Sequence, residues 1–193
     1  MTHLEIEYKT LLNKDEFNRL TAHFSHIPPV TQTNYYFDSP DFQLKAHHMS
    51  LRIRTFSDRA ELTLKLPNTV GNLEHNLDFS LPQAKEIIKS GRIPSCLIRD
   101  LIEDKGVSPD DLSVFGHLTT IRRENQTAMG LLALDYNLYT GRKDYELELE
   151  VTDADNGKKQ FADFLDQNAI TFKYAKSKIA RLTSSLRAAK KLP

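Results

Sequence analysis

The most regular feature of the chain is an alternation of polar and apolar positions with a period of two residues. In Leu4–Lys9 the odd-numbered positions are Glu, Glu and Lys, and the even-numbered positions are apolar. Met49–Phe56 carries two arginines at alternate positions, and Asp144–Val151 carries three glutamates. Because successive side chains of a strand point to opposite faces, this pattern predicts β-strands with one charged and one apolar face.

Short segments with strand character recur through most of the chain. They are Leu4–Lys9, Thr33–Asp38, Met49–Phe56, Ala60–Leu66, Leu73–Ser80, Val114–Glu124, Met129–Tyr139 and Asp144–Val151. The connections at Ser57–Arg59, Asn125-Gln126 and Thr140–Arg142 are short enough for hairpins, so the strand order is mostly antiparallel. Eight strands can close into a barrel, which removes exposed edges. The sequence therefore predicts an α+β fold, an eight-stranded antiparallel β-barrel flanked by helices.

Other segments carry apolar residues at helical spacing. Asn13 is a suitable N-cap for a first helix, and Gly91 is a suitable stop for a helix that begins after Ser80. The predicted helices are Asn13–His26, Leu81–Ser90, a short helix capped by Ser95, and two helices at about Lys158–Asn168 and Lys176–Lys190. We expect a single domain over residues 1–193, with a helical insertion at about 81–112 and C-terminal helices at about 158–190.

Two arrangements of the charged strand faces fit this pattern. In one, apolar faces fill the barrel and charges face water, as in many antiparallel sheets. In the other, charged faces line the interior and helices cover the apolar faces. Charges on one strand tend to share a sign, as in Arg52 and Arg54 or in Glu146, Glu148 and Glu150. Like charges in a row repel unless opposite charges lie among them, which favours the second arrangement.

The amino-acid composition limits the kinds of molecule that we expect the protein to bind. Lys+Arg and Asp+Glu both number 26, so the formal net charge is zero, without the basic excess typical of nucleic-acid or membrane-surface binding. No apolar run reaches transmembrane length. The single cysteine, Cys96, fits a reducing compartment. We therefore expect a cytoplasmic protein that binds neither a nucleic-acid polymer nor a membrane.

Acidic and basic side chains that face the same interior can bind a ligand together. Carboxylates are the preferred ligands of hard divalent cations. Arg and Lys bind phosphate oxygens, and Arg does so with a forked set of donors. A divalent cation that carries a polyphosphate needs both kinds of ligand. The charged faces therefore predict a site for the metal complex of a polyphosphate.

The charged positions also form a known series of short motifs. The series begins with Glu-x-Glu-x-Lys at Glu5–Lys9. It continues with Asn34–Asp38, Arg52–Arg54, Thr63–Lys65, Glu74, Thr120–Arg122, Leu134-Asp135, Glu146–Glu150 and Lys176–Lys178. In this order, over nearly the whole chain, the motifs resemble the CYTH superfamily, also called triphosphate tunnel metalloenzymes. The glutamate strand and the Lys-Ser-Lys ending are most similar to the subgroup of low-GC Gram-positive bacteria that is often labelled adenylate cyclase.

The resemblance implies an eight-stranded tunnel that binds a triphosphate together with Mg²⁺ or Mn²⁺. It implies that acidic side chains hold the metal, namely Glu5, Glu7, Glu74, Asp135, Glu146 and Glu148. It implies that basic side chains bind the triphosphate, namely Lys9, Arg52, Arg54, Lys65, Arg122 and Lys176. The residues expected to be catalytic are Glu5, Glu7, Lys9 and Arg54.

The function implied by the resemblance is metal-dependent hydrolysis of inorganic tripolyphosphate or another small triphosphate. Two alternatives stay open. One is an adenylate cyclase of the class IV type, which makes cyclic AMP from ATP. The other is a non-catalytic module that binds polyphosphate or a nucleotide. A small triphosphate is the expected partner, and assembly as a homodimer is left open.

Overall fold

The computed structural model describes residues 1–192. Its strands are β1 (Thr2–Leu12), β2 (Val30–Asp38), β3 (Ser50–Thr55), β4 (Ala60–Pro67), β5 (Asn72–Phe79), β6 (Ser113–Thr127), β7 (Gly130–Tyr139) and β8 (Arg142–Val151). Its α-helices are α1 (Lys14–His23), α2 (Gln43–Ala46), α3 (Leu81–Ser90), α4 (Leu97–Glu103), α5 (Ala154–Gln167) and α6 (Lys178–Ala188). A short 3-10 helix spans Pro109–Asp111. Over this part of the chain, none of the helices combines the length and the apolar character needed to cross a membrane.

The strands form one closed sheet. Their order around it is β1-β5-β4-β3-β2-β6-β7-β8, and the last strand pairs with the first. The hairpins β3–β4, β4–β5, β6–β7 and β7–β8 are antiparallel, as is the closing pair β1–β8. The prediction of an eight-stranded antiparallel β-barrel flanked by helices is confirmed.

The described chain divides into two compact units. The first comprises Met1–Leu4, Gln32–Leu118 and Leu192. Its core forms where the apolar faces of β3 and β4 meet α3 and α4. The fully buried strand residues are Leu51, Ile53, Leu62 and Leu64, and the helices contribute Ala84, Ile87, Ile98 and Ile102.

The second unit comprises Glu5–Thr31 and Thr119–Lys191. Here the apolar faces of β7 and β8 pack against α1 and α5. The strands contribute Leu132, Leu134, Leu147 and Leu149, and the helices contribute Leu20, Phe24, Phe161 and Leu165. Full burial of such a side chain is worth about 1.5–3 kcal/mol, so this packing fixes which strand face the helices cover.

The opposite face of the strands in each unit is polar, and much of it is buried. In the first unit Thr63 and Glu74 are buried, and in the second unit Asp135 and Glu146 are fully buried. The helices therefore cover the apolar face, as the second of the two predicted arrangements requires. In a closed sheet, the face turned away from such helices is the interior.

Several element boundaries differ from those expected. The prediction of a turn at Asn125-Gln126 was wrong. Strand β6 continues to Thr127, and the chain turns just before Gly130. The Thr127 hydroxyl closes this turn, since it accepts from the Met129 amide at 3.2 Å and donates to the Gly130 carbonyl at 2.8 Å. Gly130 has φ 139°, a conformation that favours glycine.

Two helix starts were also misplaced. Helix α5 begins at Ala154 and not near Lys158, because the Asp153 side chain accepts from the Asn156 amide as an N-cap. Helix α4 has Cys96 and not Ser95 at its N-cap, with no side-chain capping bond.

Gly157 gives a test of how α5 packs on β8. A methyl group at this position would lie 2.6–3.0 Å from three side-chain carbons of Val151, which is too close for normal contact. We expect Gly157→Ala to lower the free energy of unfolding by about 1–2 kcal/mol, since overpacking outweighs the better helix propensity of Ala. Urea unfolding measures this change. The neighbouring exposed substitution Asn156→Ala is the control, and an equal loss in both variants would contradict the packing described.

Candidate active site

Strand register brings opposite charges together on the polar face of the second unit. Arg122 of β6 lies directly opposite Asp135 of β7, which lies opposite Glu146 of β8. In the next row, Glu148 of β8 lies opposite Lys9 of β1. Directly opposed side chains on one face have Cβ atoms about 4.5–5.5 Å apart. The alternation seen in sequence therefore becomes a compact set of charges.

Three carboxylates form the centre of this set, and we call Asp135, Glu146 and Glu148 the acidic cluster. One carboxylate oxygen from each lies within 4.8 Å of the others. Asp135 and Glu146 are fully buried, and Glu148 is 8% exposed. Such a set of oxygen ligands suits a hard divalent cation such as Mg²⁺ or Mn²⁺.

Lys178 is the cation shared by the whole acidic cluster. Its Nζ lies 2.8 Å from Asp135 Oδ2, 2.9 Å from Glu146 Oε2 and 2.6 Å from Glu148 Oε1. Lys178 is the first residue of α6, and the Ser177 side chain caps this helix by accepting from the Ala180 amide. The cap therefore fixes where the ammonium group enters the cluster.

Two arginines approach the acidic cluster from other elements. Arg122 donates from Nε and Nη2 to the two oxygens of Asp135, both at 2.6 Å, and its Nη2 also contacts Glu148. Arg181 of α6 donates to both oxygens of Glu146 at 3.2 and 2.5 Å, and its Nε lies 3.2 Å from Asp144. Forked donation of this kind fixes the position of each carboxylate.

Basic side chains compensate the negative charge of the acidic cluster. Lys178, Arg122 and Arg181 supply three positive charges to the three carboxylates of the acidic cluster. Burial alone would raise the pKa of Glu148, but the positive charges of Lys178, Arg122 and Lys9 hold it well below the usual range. Asp135 behaves in the same way, because Arg122 and Lys178 outweigh its burial and lower its pKa. Asp135 and Glu148 therefore stay ionised at neutral pH despite their burial.

Polar side chains support the far end of the cluster. Asn137 donates to Asp144 at 3.0 Å and to Glu146 at 3.4 Å, and it accepts from Thr120 at 2.7 Å. The Tyr139 hydroxyl donates to Asp144 at 2.6 Å. Burial, together with this bond, raises the pKa of Tyr139 to about 12, so the phenol stays protonated.

The N-terminal motif lies beside the acidic cluster. Lys9 forms an ion pair with Glu7. Burial alone would lower the pKa of Lys9, but Glu7, Glu148 and Glu146 raise it above the ordinary value. Glu5 is half-buried on the same face of β1, and it is not one of the three acids of the cluster.

The first unit carries a separate set of the predicted residues. Lys65 forms an ion pair with Glu74, and His3 Nε2 lies 3.6 Å from the same carboxylate. Arg54 donates to Asn34 Oδ1 at 3.1 Å. Arg52 has a buried Nε without a hydrogen-bond partner among the described residues. The roles of these residues stay predictions from the family resemblance.

Two basic residues that contact the acidic cluster were not predicted from the sequence. Lys178 and Arg181 both reach the acidic cluster from α6, whereas Lys176 is exposed and contacts Arg181 through its main-chain carbonyl at 2.7 Å. The sequence does contain a signal for them. Lys178 and Arg181 are three residues apart, a spacing that places both cations on one face of a helix, and Ser177 before them is a suitable N-cap. The phosphate-binding role of Lys176 stays a prediction.

Comparison with known proteins shows a family match and similar structures over most of the chain. The chain matches the CYTH domain over residues 3–183. It is 34% identical to "Putative triphosphatase YjbK" of Bacillus subtilis (strain 168) over 180 residues, covering 92% of this chain and 93% of that protein. A crystal structure of a "putative adenylate cyclase" from Bacillus halodurans superposes with a TM-score of 0.88 at 36% identity, covering 93% of this chain and 97% of that one.

A more distant plant protein has the same fold. It is a Hippeastrum "putative adenylyl cyclase", described as having a dominant triphosphatase activity. It superposes with a TM-score of 0.81 at 23% identity, covering 94% of this chain and 96% of that one.

Lys178 gives a test of the charge balance. We expect Lys178→Met to lower the free energy of unfolding by about 3 kcal/mol, because it leaves a buried carboxylate without its counter-ion. Added Mn²⁺ should raise the melting temperature of this variant more than that of the wild type, since a cation can take the position of the ammonium group. Thermal unfolding with and without Mn²⁺ measures both effects, and the exposed substitution Lys176→Met is the control. Equal Mn²⁺ shifts in all three proteins would count against the cluster as a cation site.

Proposed function

Because this chain belongs to the CYTH domain family, we propose that it hydrolyses a small triphosphate, such as inorganic tripolyphosphate, with the help of Mg²⁺ or Mn²⁺. The observation that carries this proposal is the buried acidic cluster in contact with Lys178, Arg122 and Arg181. The name of the Bacillus subtilis relative, "Putative triphosphatase YjbK", supports the same reaction. The location that we expect for the protein remains the cytoplasm.

The donor set of the acidic cluster fits a divalent cation. Asp135, Glu146 and Glu148 would hold it, and when bound it would neutralise phosphate charge and orient the attacking water. Phosphoryl transfer asks a protein mainly for positioning and charge stabilisation. A site that combines three acids with three strong cations supplies both.

The basic residues that contact the acidic cluster have a second role in this proposal. Lys178 and Arg122 already contact the carboxylates. Once the carboxylates bind a cation, the same ammonium and guanidinium groups would bind phosphate oxygens, for which Arg has the matching fork. Lys9, opposite Glu148 on the neighbouring strand, would contact the next phosphate. From the resemblance, we expect Arg52, Arg54 and Lys65 to bind the same triphosphate.

Two other functions would use the same acids. In an adenylate cyclase, the ribose 3′-hydroxyl replaces water as the nucleophile, and the name of the Bacillus halodurans relative favours this alternative. In a binding module, the triphosphate would bind without turnover. The three functions differ in product, so they can be separated by experiment.

Phosphate release tests hydrolysis. With Mg²⁺ or Mn²⁺, we expect the wild type to release phosphate from tripolyphosphate. Glu148→Gln should lower kcat/KM by at least ~100-fold, because a cation ligand is lost at the point where charge develops. Glu150→Gln is the matched control, since Glu150 lies on the same strand face but outside the acidic cluster, and it should retain most activity. Equal rates in the two variants, with folding retained, would contradict the assignment.

Product analysis with ATP tests the cyclase alternative. We expect ADP and phosphate as the products, with water as the nucleophile. Chromatography of the reaction mixture separates them from cyclic AMP and pyrophosphate. Cyclic AMP as the main product would replace the hydrolase with the cyclase, and binding without any product would identify a binding module.

A further inference from the structure

The two basic residues of α6 that reach the acidic cluster differ in their partners. Lys178 lies within 2.9 Å of a carboxylate oxygen from each of the three acids. Arg181, three residues further along the helix, contacts Glu146 through a fork of two hydrogen bonds. Its other contacts are with oxygens outside the acidic cluster. Lys178 is therefore placed among the ligand oxygens, whereas Arg181 joins the cluster to its surroundings.

The guanidinium group of Arg181 is bound to oxygens of the protein. Its Nη1 donates to Glu146 Oε1 at 3.2 Å and to the main-chain carbonyl of Lys176 at 2.7 Å. Its Nη2 donates to Glu146 Oε2 at 2.5 Å, and its Nε lies 3.2 Å from Asp144 Oδ2, in a side chain that is only 9% exposed. Burial alone would lower the pKa of Arg181, but its hydrogen bond to Glu146 and the charges of Glu146 and Asp144 raise it. A guanidinium group held in this way is poorly placed to turn towards a phosphate.

Asp144 is itself held by residues of the neighbouring strand. Asn137 and Tyr139, both on β7, donate to its two oxygens at 3.0 and 2.6 Å. Asn137 is fully buried and in turn accepts from Thr120 of β6 at 2.7 Å. Connected hydrogen bonds in a buried setting hold each member in one arrangement. Arg181 therefore contacts a carboxylate whose position is fixed by three adjacent strands.

The same arginine secures the first turn of α6. Its backbone amide donates to the Ser177 carbonyl at 3.0 Å, and its side chain reaches back to the Lys176 carbonyl just before the helix. The first turn of a helix contains backbone groups without helical partners, and it opens easily unless tertiary contacts hold it. Lys178 lies in this turn, and its ammonium group is carried on a flexible stem. The place of that ammonium group therefore depends on the contacts of Arg181.

We propose that Arg181 is a positioning residue, which fixes the first turn of α6 on β8 so that the Lys178 ammonium group stays at the acidic cluster. Arg181 itself does not bind the triphosphate. The part of the inference that concerns phosphate rests on the proposed function, in which Lys178 binds a phosphate oxygen. The two basic residues of α6 thus have separate tasks, since one holds the helix and the other contacts the ligand.

Chemical labelling of lysine tests the positioning role without any ligand. We expect Arg181→Met to raise the rate at which acetic anhydride acetylates Lys178 by roughly tenfold, since losing a charged hydrogen bond shifts a local opening equilibrium by about this factor. Asp144→Asn, which keeps the arginine but removes its anionic partner, should raise the same rate by a smaller factor. Peptide mass spectrometry measures the rate, with Lys158, exposed on α5, as the internal reference. Arg187→Met, at an exposed arginine in the last turn of α6, is the matched control and should leave the rate unchanged.

A binding cycle separates positioning from direct contact with phosphate. The probe is a non-hydrolysable imido analogue of tripolyphosphate, with Mg²⁺, and calorimetry measures its dissociation constant. We expect Arg181→Met to weaken binding roughly tenfold in the wild-type background and less than about twofold in a Lys178→Met background, because residues that act through one contact are not additive. Direct contact of Arg181 with phosphate would instead give the same loss in both backgrounds.

These measurements distinguish failure of this inference from failure of the proposed function. If the wild type binds the analogue but releases no phosphate from tripolyphosphate, the proposed hydrolysis fails, and the labelling rates and the cycle still decide on the positioning role. Unchanged acetylation of Lys178 in both Arg181→Met and Asp144→Asn would overturn the positioning role, as would equal losses of analogue affinity in the two backgrounds. Circular dichroism checks that each variant is folded, and Asp144→Asn takes the place of Arg181→Met in the cycle if the latter is not.

Discussion

The structure depends on the mutual neutralisation of buried acids and bases around Asp135, Glu146 and Glu148. Each buried carboxylate would cost several kcal/mol if left unpaired. Lys178, Arg122 and Arg181 remove that cost, and they come from α6 and β6, outside the two strands that carry the acids. Helix position, strand register and ionic contact are therefore coupled. The same coupling produces a group of oxygen ligands within 4.8 Å of one another, ready to exchange one cation for another.

Most of the fold could be predicted because the two faces of its strands differ so strongly. The alternation in Asp144–Val151 survives in the structure, with Leu147 and Leu149 against helices and Glu146 and Glu148 on the buried polar face. The closed barrel follows from eight such strands joined by short turns. What failed were local boundaries. Asn125-Gln126 has turn-forming composition, yet pairing with Leu131 and Leu132 of β7 keeps both residues in the sheet.

The candidate site could be predicted only in part. Side-chain alternation placed Arg122, Asp135, Glu146 and Glu148 on one face, and the register brings them together. Lys178 could not be identified in this way, because its approach depends on how α6 docks, and no strand pattern encodes that. The distances of the ammonium group to all three acids appear only in three dimensions. The alternation of residues along strands therefore predicts contacts between neighbouring strands better than contacts between a helix and the sheet.

The position of α6 in the chain has a consequence for biosynthesis. Glu148 and its partner Lys178 are 30 residues apart, and the acids precede the base. A nascent chain therefore exposes the completed acidic hairpin to water before its main counter-charge has left the ribosome. Until then, the carboxylates would be better hydrated than buried, and closure of the polar interior must wait for the final helix. Because Lys178 and Arg181 lie in α6, full neutralisation of the buried carboxylates is delayed until that helix has been synthesised.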